Sequence, residues 1–217
     1  MSKLIKYCIY GSGGCGRSVM PILREKIKDN NSLYFIDDFK NQKYCNGVKL
    51  ISLKKIIKLN YNLVIYIAIS SSVIRRDIVK KNKIYFRKFN NLISNRSIIF
   101  DDVTLGRGNI ISPFCTLGSN TKIGNFNHIN LYSYIEHDCT LGNYVTISPG
   151  VKCNGNVIIE DEVFIGSGAI IGNGTEKKPI VIGKGSVIGA GSIILKNIPR
   201  FSKVIAHPSK RIPNKEN

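Results

Sequence analysis

An apolar residue returns at every sixth position through most of the second half of this chain. The series runs Ile99, Leu105, Ile111, Leu117, Ile123, Ile129, Ile135, Leu141, Ile147, Cys153, Ile159, Ile165 and Ile171, then resumes at Ile182, Ile188 and Ile194. Four residues beyond most members stands a small or slender side chain, such as Val103, Cys115, Thr121, Ser133, Cys139, Val145, Val151, Val163 or Ala169. An α-helix returns to one face at three and four residues, so a strict period of six excludes it. The spacing fits one flat wall of a triangular coil with the apolar residue inward, and three walls close a turn of about eighteen residues. Such copies cannot bury their apolar faces singly and must stack into a parallel β-helix. Glycine often follows the inward residue (Gly106, Gly118, Gly124, Gly142, Gly166), where it is expected to ease the corner.

The bulk properties narrow the function. No stretch of about eighteen apolar residues occurs and the N-terminus is not signal-like, so a soluble cytoplasmic protein without membrane insertion is expected. The six cysteines contain no CxxC spacing, and Cys115, Cys139 and Cys153 fall on inward positions, so neither a disulfide framework nor a metal site is expected. The formal net charge of +18 comes from scattered Lys and Arg without Trp, so nucleic acid is not the expected partner. A positive field suits small anions that carry a diphosphate.

The first ninety or so residues read differently. Ile5–Tyr10 is a buried strand running into Gly11-Ser12-Gly13-Gly14-Cys15-Gly16, followed by an amphipathic helix from Arg17 to about Lys28. Strands at 33–36 and 63–69 alternate with helices at 52–59 and 72–81, and 84–86 adds a short strand. This order gives a small Rossmann-like βαβαβ sheet with helices on both faces. The turn satisfies G-x-G-x-x-G at Gly11, Gly13 and Gly16, which brings backbone N–H groups and a helix N-terminus to a phosphate. Asp37-Asp38 lies about twenty residues on, where a ribose hydroxyl is read in dinucleotide sites. Only one mononucleotide-binding half is present before the repeat begins, which suits a nucleotide sugar better than a dinucleotide. The division expected is 1–92 for the α/β unit and 93–217 for the β-helix with its tail.

Three histidines occur: His128, His137 and His207. His137 stands two residues past inward Ile135, at a coil corner between Glu136 and Asp138, where carboxylates can fit an imidazole for general-base work. His128 precedes inward Ile129, faces outward and is assigned a structural role. Cys139 is two residues from His137 but occupies an inward slot with poor geometry for a covalent acetyl-enzyme. Glu176-Lys177-Lys178-Pro179 breaks the period, since Ile171 to Ile182 is eleven residues rather than twelve. That loop reads equally as a groove border or a tolerated deletion.

The repeat resembles the hexapeptide-repeat acyltransferases. The order of the two units, with Asn130-Leu131-Tyr132-Ser133-Tyr134-Ile135-Glu136-His137-Asp138-Cys139, resembles the nucleotide-sugar N-acetyltransferases, relatives of the sialic acid O-acetyltransferases. The segments Ile111–Phe114, Lys152–Gly155 and Ile165–Gly168 look most like GDP-perosamine N-acetyltransferases. The resemblance implies a left-handed β-helix, a homotrimer, and acetyl-CoA as co-substrate without a metal. It implies acetylation of the 4-amino group of a nucleotide-linked 4-amino-4,6-dideoxyhexose for O-antigen, lipopolysaccharide or other glycan biosynthesis, with GDP-, dTDP- and UDP-sugars all open. His137 falls on the catalytic base, Asp138 on the acid that raises its basicity, and Asn130 and Glu136 on polar residues of the same cleft. Thr146, Ser167, Gly168 and Ala190 fall where relatives contact acetyl-CoA, although some relatives carry His in place of Thr146. Gly13, Gly14, Cys15, Asp37, Asp38, Ser70 and Arg75 match the nucleotide-sugar pocket, although relatives often have His in place of Cys15. Ala206–Lys210 departs from the usual Gly-x-Pro-Ala ending and is given no contact. The other readings are a sialic acid-type O-acetyltransferase and a non-catalytic nucleotide-sensing scaffold.

Overall fold

The computed structural model describes residues 4–83, 85 and 89–206. The N-terminal unit forms one sheet from β1 (Ile5–Tyr10), β2 (Leu33–Ile36), β3 (Tyr44–Cys45), β4 (Val48–Ile51) and β5 (Asn62–Ile67), in the order β3-β4-β2-β1-β5. All neighbours are parallel except the β3–β4 hairpin. Helix α1 (Gly14–Lys26) covers one face, where Val19, Met20 and Leu23 pack with Ile9 and Phe35 and with Leu92 and Ile110 of the repeat. Helices α2 (Leu53–Lys58) and α3 (Ser72–Lys81) cover the other, around Ile36, Ile56, Ile67 and Val79. The hairpin was not expected, yet its signal was present: Asn46-Gly47 takes positive φ at both residues, 47° and 74°, as a two-residue turn matched to strand twist requires. Ile84 and Phe86 of the expected short strand lie outside the described residues, and Tyr85 is in a turn.

The repeat builds a triangular prism. Among the described residues its first wall stacks seven strands from Leu92–Ile93 to Lys203–Val204, its second six from Ile98–Ile99 to Ile193–Ile194, and its third five from Thr104–Leu105 to Ile180–Ile182. Every ladder is parallel, and a step of eighteen residues joins Leu117 to Ile135 and Ile135 to Cys153. The inward residues from Ile111 to Ile194 form one continuous core with almost no exposure, including all three inward cysteines. Ile99 is 38% exposed because it sits at the open lower end.

Glycine serves the prism for a reason other than the expected one. Gly106, Gly118, Gly124, Gly142 and Gly166 do not adopt positive φ; a Cβ on any of them would lie 2.4–2.6 Å from atoms of the next coil. They permit close stacking. The left-handed backbone falls two residues later, and at the second corner, between second and third walls, it is taken by Asp102, Asn120, Asp138 and Asn156. Asp and Asn tolerate this conformation better than other side chains.

The N-terminal unit docks on the first wall and on the third corner, where the prism turns from third wall to first. Phe126 and Tyr144 stack there at 5.2 Å between ring centroids, and Phe89 meets Phe126 edge-on at 4.7 Å. No helix of the described residues is long and apolar enough to cross a membrane.

Candidate active site

At the second corner the chain must leave one wall for the next, so side chains there point away from the core. His137 is one of them, exposed, with Nδ1 2.8 Å from Asp138 Oδ2. The carboxyl of Asp138 is held below its usual range by the hydrogen bond to His137, then by one from Asn120. Glu136 is half-buried on the same coil; its backbone is tied to Cys153 above and Thr121 below. A Nδ1–carboxylate contact of this kind orients the ring and leaves Nε2 to exchange a proton.

The coil above supplies the seat. A Cβ on Gly155 would stand 2.5 Å from His137 Cε1 and 2.6 Å from Nε2, so the imidazole lies directly against this glycine. Gly155 is fixed in turn by the segment that breaks the repeat: its N–H donates to Asn173 Oδ1 at 2.7 Å, and its carbonyl accepts from Gly174 N–H at 3.0 Å. The interruption therefore sits over the His137 corner. Sequence reasoning passed over Asn120, Gly155 and Asn173. The repeat itself held the signal, because Asn120 is eighteen residues before Asp138, and Gly155 is eighteen after His137.

A second constellation occupies the first corner, between first and second walls. Ser167, Gly168 and Ala190 are exposed there, and Asn130 is half-buried below them with its amide donated to Ile147 O. Gly168 and Gly191 have positive φ, and a Cβ on either would meet nothing within 4 Å. An extended ligand could lie against this backbone column. Asn130 is thus separated from His137 by the second wall within one chain.

The third constellation is a cleft of about 990 Å³ at the strand ends of the α/β unit, between α2 and α3. Gly13, Asp37 and Asp38 line it, with Leu53, Ile74 and Ile78 as apolar walls. In the turn, Gly11 has φ +101°, and a Cβ on Gly16 would fall 1.9 Å from Gly11 O, so only glycine lets α1 start this close to β1. Asp37 accepts from Ser12 N–H and Oγ–H and from Phe39 N–H; although partial burial opposes it, these bonds keep the carboxyl below its usual range. Asp38 accepts from the Tyr10 hydroxyl and from Leu53 N–H, at the start of α2. Both carboxylates brace the cleft and keep lone pairs for a hydroxyl.

Several expected contacts go elsewhere. Arg75 is 1% exposed and binds no carboxylate among the described residues: Nε donates to Phe126 O, Nη1 to Ile69 O and Ser70 O, and Nη2 to Tyr144 O, Val145 O and Thr146 Oγ1. Burial lowers its pKa to about 10, which leaves it charged at neutral pH. It joins the α/β unit to the prism and does not line the cleft. Thr146, 1% exposed, donates to Ser70 O within the same joint, which removes it from the expected acetyl-CoA contacts of this chain. Ser70 lends the joint its carbonyl. Gly14 is exposed at the start of α1, whereas Cys15 turns toward His128, with Sγ 4.0 Å from Nδ1, and neither lines the cleft. His128 faces outward as expected but is covered by the docked unit, its Nε2 2.8 Å from Ile67 O. His207 lies outside the described residues. Among the described residues no three His, Cys, Asp or Glu side chains cluster so as to hold a metal.

Comparison with known proteins identifies the family. Residues 6–82 match the PglD N-terminal domain family, and residues 120–155 match the bacterial transferase hexapeptide family. The chain is 38% identical over 211 residues to a GDP-perosamine N-acetyltransferase of Escherichia coli O157:H7, covering 95% of this chain and 96% of that protein. It belongs to the hexapeptide-repeat nucleotide-sugar N-acetyltransferases. The prism is accordingly the left-handed β-helix of that family, and the chain is an acyltransferase. WeeI from Acinetobacter baumannii AYE superposes with a TM-score of 0.91 at 38% identity, over 95% of this chain and 99% of WeeI. The acetyltransferase domain of PglB from Neisseria gonorrhoeae FA1090, solved with acetyl coenzyme A, superposes with a TM-score of 0.82 at 25% identity, over 95% of this chain and 98% of that domain.

Proposed function

We propose that this enzyme transfers the acetyl group of acetyl-CoA to the 4-amino group of a nucleotide-linked 4-amino-4,6-dideoxyhexose, of which GDP-perosamine is the favoured member. The observation that carries the reading is the His137–Asp138 pair, 2.8 Å apart at an exposed corner with the imidazole seated on Gly155. The similarity to a GDP-perosamine N-acetyltransferase supports the choice of sugar. The neutral amine attacks the thioester carbonyl, forming a C–N bond while His137 Nε2 takes the amine proton. Asp138 stabilises the imidazolium, with Glu136 beside it. The tetrahedral intermediate then breaks its C–S bond, and the proton passes to the departing thiolate. Residues 1–92 hold the sugar nucleotide: backbone around Gly13 receives the diphosphate, and Asp37 and Asp38 the ribose or base. Ser167, Gly168 and Ala190 on 93–217 receive acetyl-CoA, with Asn130 below them.

In one chain His137 and the Ser167–Ala190 column stand on two different corners of the prism, and the cleft belongs to the docked unit. We therefore propose a homotrimer of roughly 73 kDa, three times the 24.2 kDa chain, in which neighbouring prisms bring His137 to another chain's donor corner and cleft. We also assign the enzyme to the cytoplasm and to O-antigen or related lipopolysaccharide assembly. The test is a steady-state panel of GDP-, dTDP- and UDP-linked 4-amino sugars with thiol release as readout. His137→Ala should lower kcat by on the order of 10² to 10⁴ with little change in KM. Undiminished turnover in that variant would falsify the base assignment. A product labile to mild base would be an ester and overturn N-acetylation. Light scattering across a dilution series, beside the assay, tests assembly; a fully active monomer refutes the shared site.

A further inference from the structure

We infer that Asn120 is a positioning residue for acetyl transfer, acting on His137 through Asp138 from the coil below. The inference rests on His137 being the base. Asn120 Nδ2 donates to Asp138 Oδ1 at 3.1 Å, while Asp138 Oδ2 meets His137 Nδ1 at 2.8 Å. Each carboxylate oxygen thus has its own partner, one on each of two coils. The backbone of Asp138 is already fixed, with φ 57° and its N–H donating to Ser119 O. What remains loose is the carboxylate torsion, which is broad for Asp and which one hydrogen bond would hold poorly. The Asn120 amide supplies the second point. Its own backbone is anchored in the same way, with φ 60° and N–H donated to Asp101 O.

The side-chain type matters as much as the contact. A carboxylate only accepts, so Asn120 must present its NH₂, and it does so without bringing charge. A lysine there would neutralise Asp138 and weaken its hold on the imidazolium; a neutral amide fixes the carboxylate and leaves its charge available to the ring. The ring is then gripped from below through Asp138 and from above by Gly155. The other titratable groups around it are Glu136 on its own coil, Asp102 two coils down the same column, the Tyr134 phenol bonded to Asn154, and the inward thiols of Cys139 and Cys153.

Asn120→Gly removes the amide and suits the left-handed backbone, so the fold is kept. It should lower kcat about three- to thirty-fold and leave both KM values within about two-fold. Asn120→Asp keeps the backbone preference but places a second carboxylate beside Asp138. It should move the acid limb of the kcat/KM profile to higher pH, because another anion favours the protonated ring. A packing role would move neither the split nor the limb. His137→Asn, run in parallel, separates the two levels. If it is inactive while Asn120→Gly turns over like wild type and Asn120→Asp leaves the limb in place, the positioning role is wrong and the base assignment stands. If His137→Asn remains active, both fall.

Discussion

Gly155→Ala should separate activity from stability at this site. Contact with a Cβ is ordinary from about 3.4 Å, whereas the new methyl would stand 2.5 Å from His137 Cε1. The imidazole must therefore withdraw by about 0.9 Å, the difference between those two distances. It can do so, because it is an exposed side chain and not packed backbone, and Gly155 does not occupy positive φ. The melting temperature should stay level or rise slightly, since replacing a glycine at a compatible backbone position contributes ~0.4–1 kcal/mol through the unfolded chain. The withdrawn ring loses its alignment on Asp138, and a misplacement of about 1 Å costs on the order of 10² in rate. Thiol-release kinetics beside thermal unfolding measure both quantities. Gly118→Ala provides the contrast: its Cβ would meet the His137 backbone nitrogen at 2.6 Å, which cannot swing aside, so stability should fall together with activity. Wild-type kcat in Gly155→Ala, or a loss of several degrees accompanying the loss of rate, refutes the seating of the ring on this glycine.

Three further outcomes follow from the joint and the cleft. Arg75→Ala leaves the carbonyls of Phe126 and Tyr144 without the Arg75 donor and should destabilise the protein by roughly 3–5 kcal/mol, read as a lower urea midpoint; a change below about 1 kcal/mol would contradict the joint. His128 is kept neutral by burial and then by the Arg75 charge, so its folded pKa lies well below the ordinary value near 6.5. Its contribution is complete above that pH and is lost as pH falls, at about 1.4 kcal/mol per unit, until the folded pKa is reached. The difference in unfolding free energy between wild type and His128→Asn should fall by about 1 kcal/mol between about pH 6.5 and 5.5, approaching the full slope only below that; parallel curves exclude it. In the cleft, Gly13 has open space beside it, so Gly13→Val should raise the KM for the sugar nucleotide steeply, while Cys15→Ala, whose thiol faces His128, should leave it nearly unchanged. A large effect of Cys15→Ala would mean that the thiol itself meets substrate.

The prism was legible residue by residue because its period is the fold: each inward position from Ile111 to Ile194 lies where the spacing of six puts it. The glycine-rich turn and the alternation of strand and helix were equally readable, being local. What escaped was whatever depends on two distant segments meeting. Arg75 and Thr146 look like pocket residues when aligned by motif, yet both are consumed by docking between α3 and the third corner, a contact no local pattern encodes. His128 was expected to face outward and does, but only tertiary packing reveals that the outside is covered. Asn120 and Gly155 fall between these cases. They flank the His137 corner by one turn on either side, so the period locates them, but their chemistry emerges only once side-chain directions are known.

The joint and the His137 corner draw on the same stretch of prism. Arg75 and His128 fasten the α/β unit to residues between Phe126 and Thr146, while Asn120, His137, Asp138 and Gly155 stack across the adjoining turns. Within one chain, the placement of the α/β unit relative to the imidazole is therefore set by the girth of the prism and not by its height. Whole turns could be added beyond Lys203–Val204 with the active centre intact. A single residue inserted between Asn120 and Gly155 would instead rotate one partner out of column. Length in such a chain is open to drift, whereas phase is held.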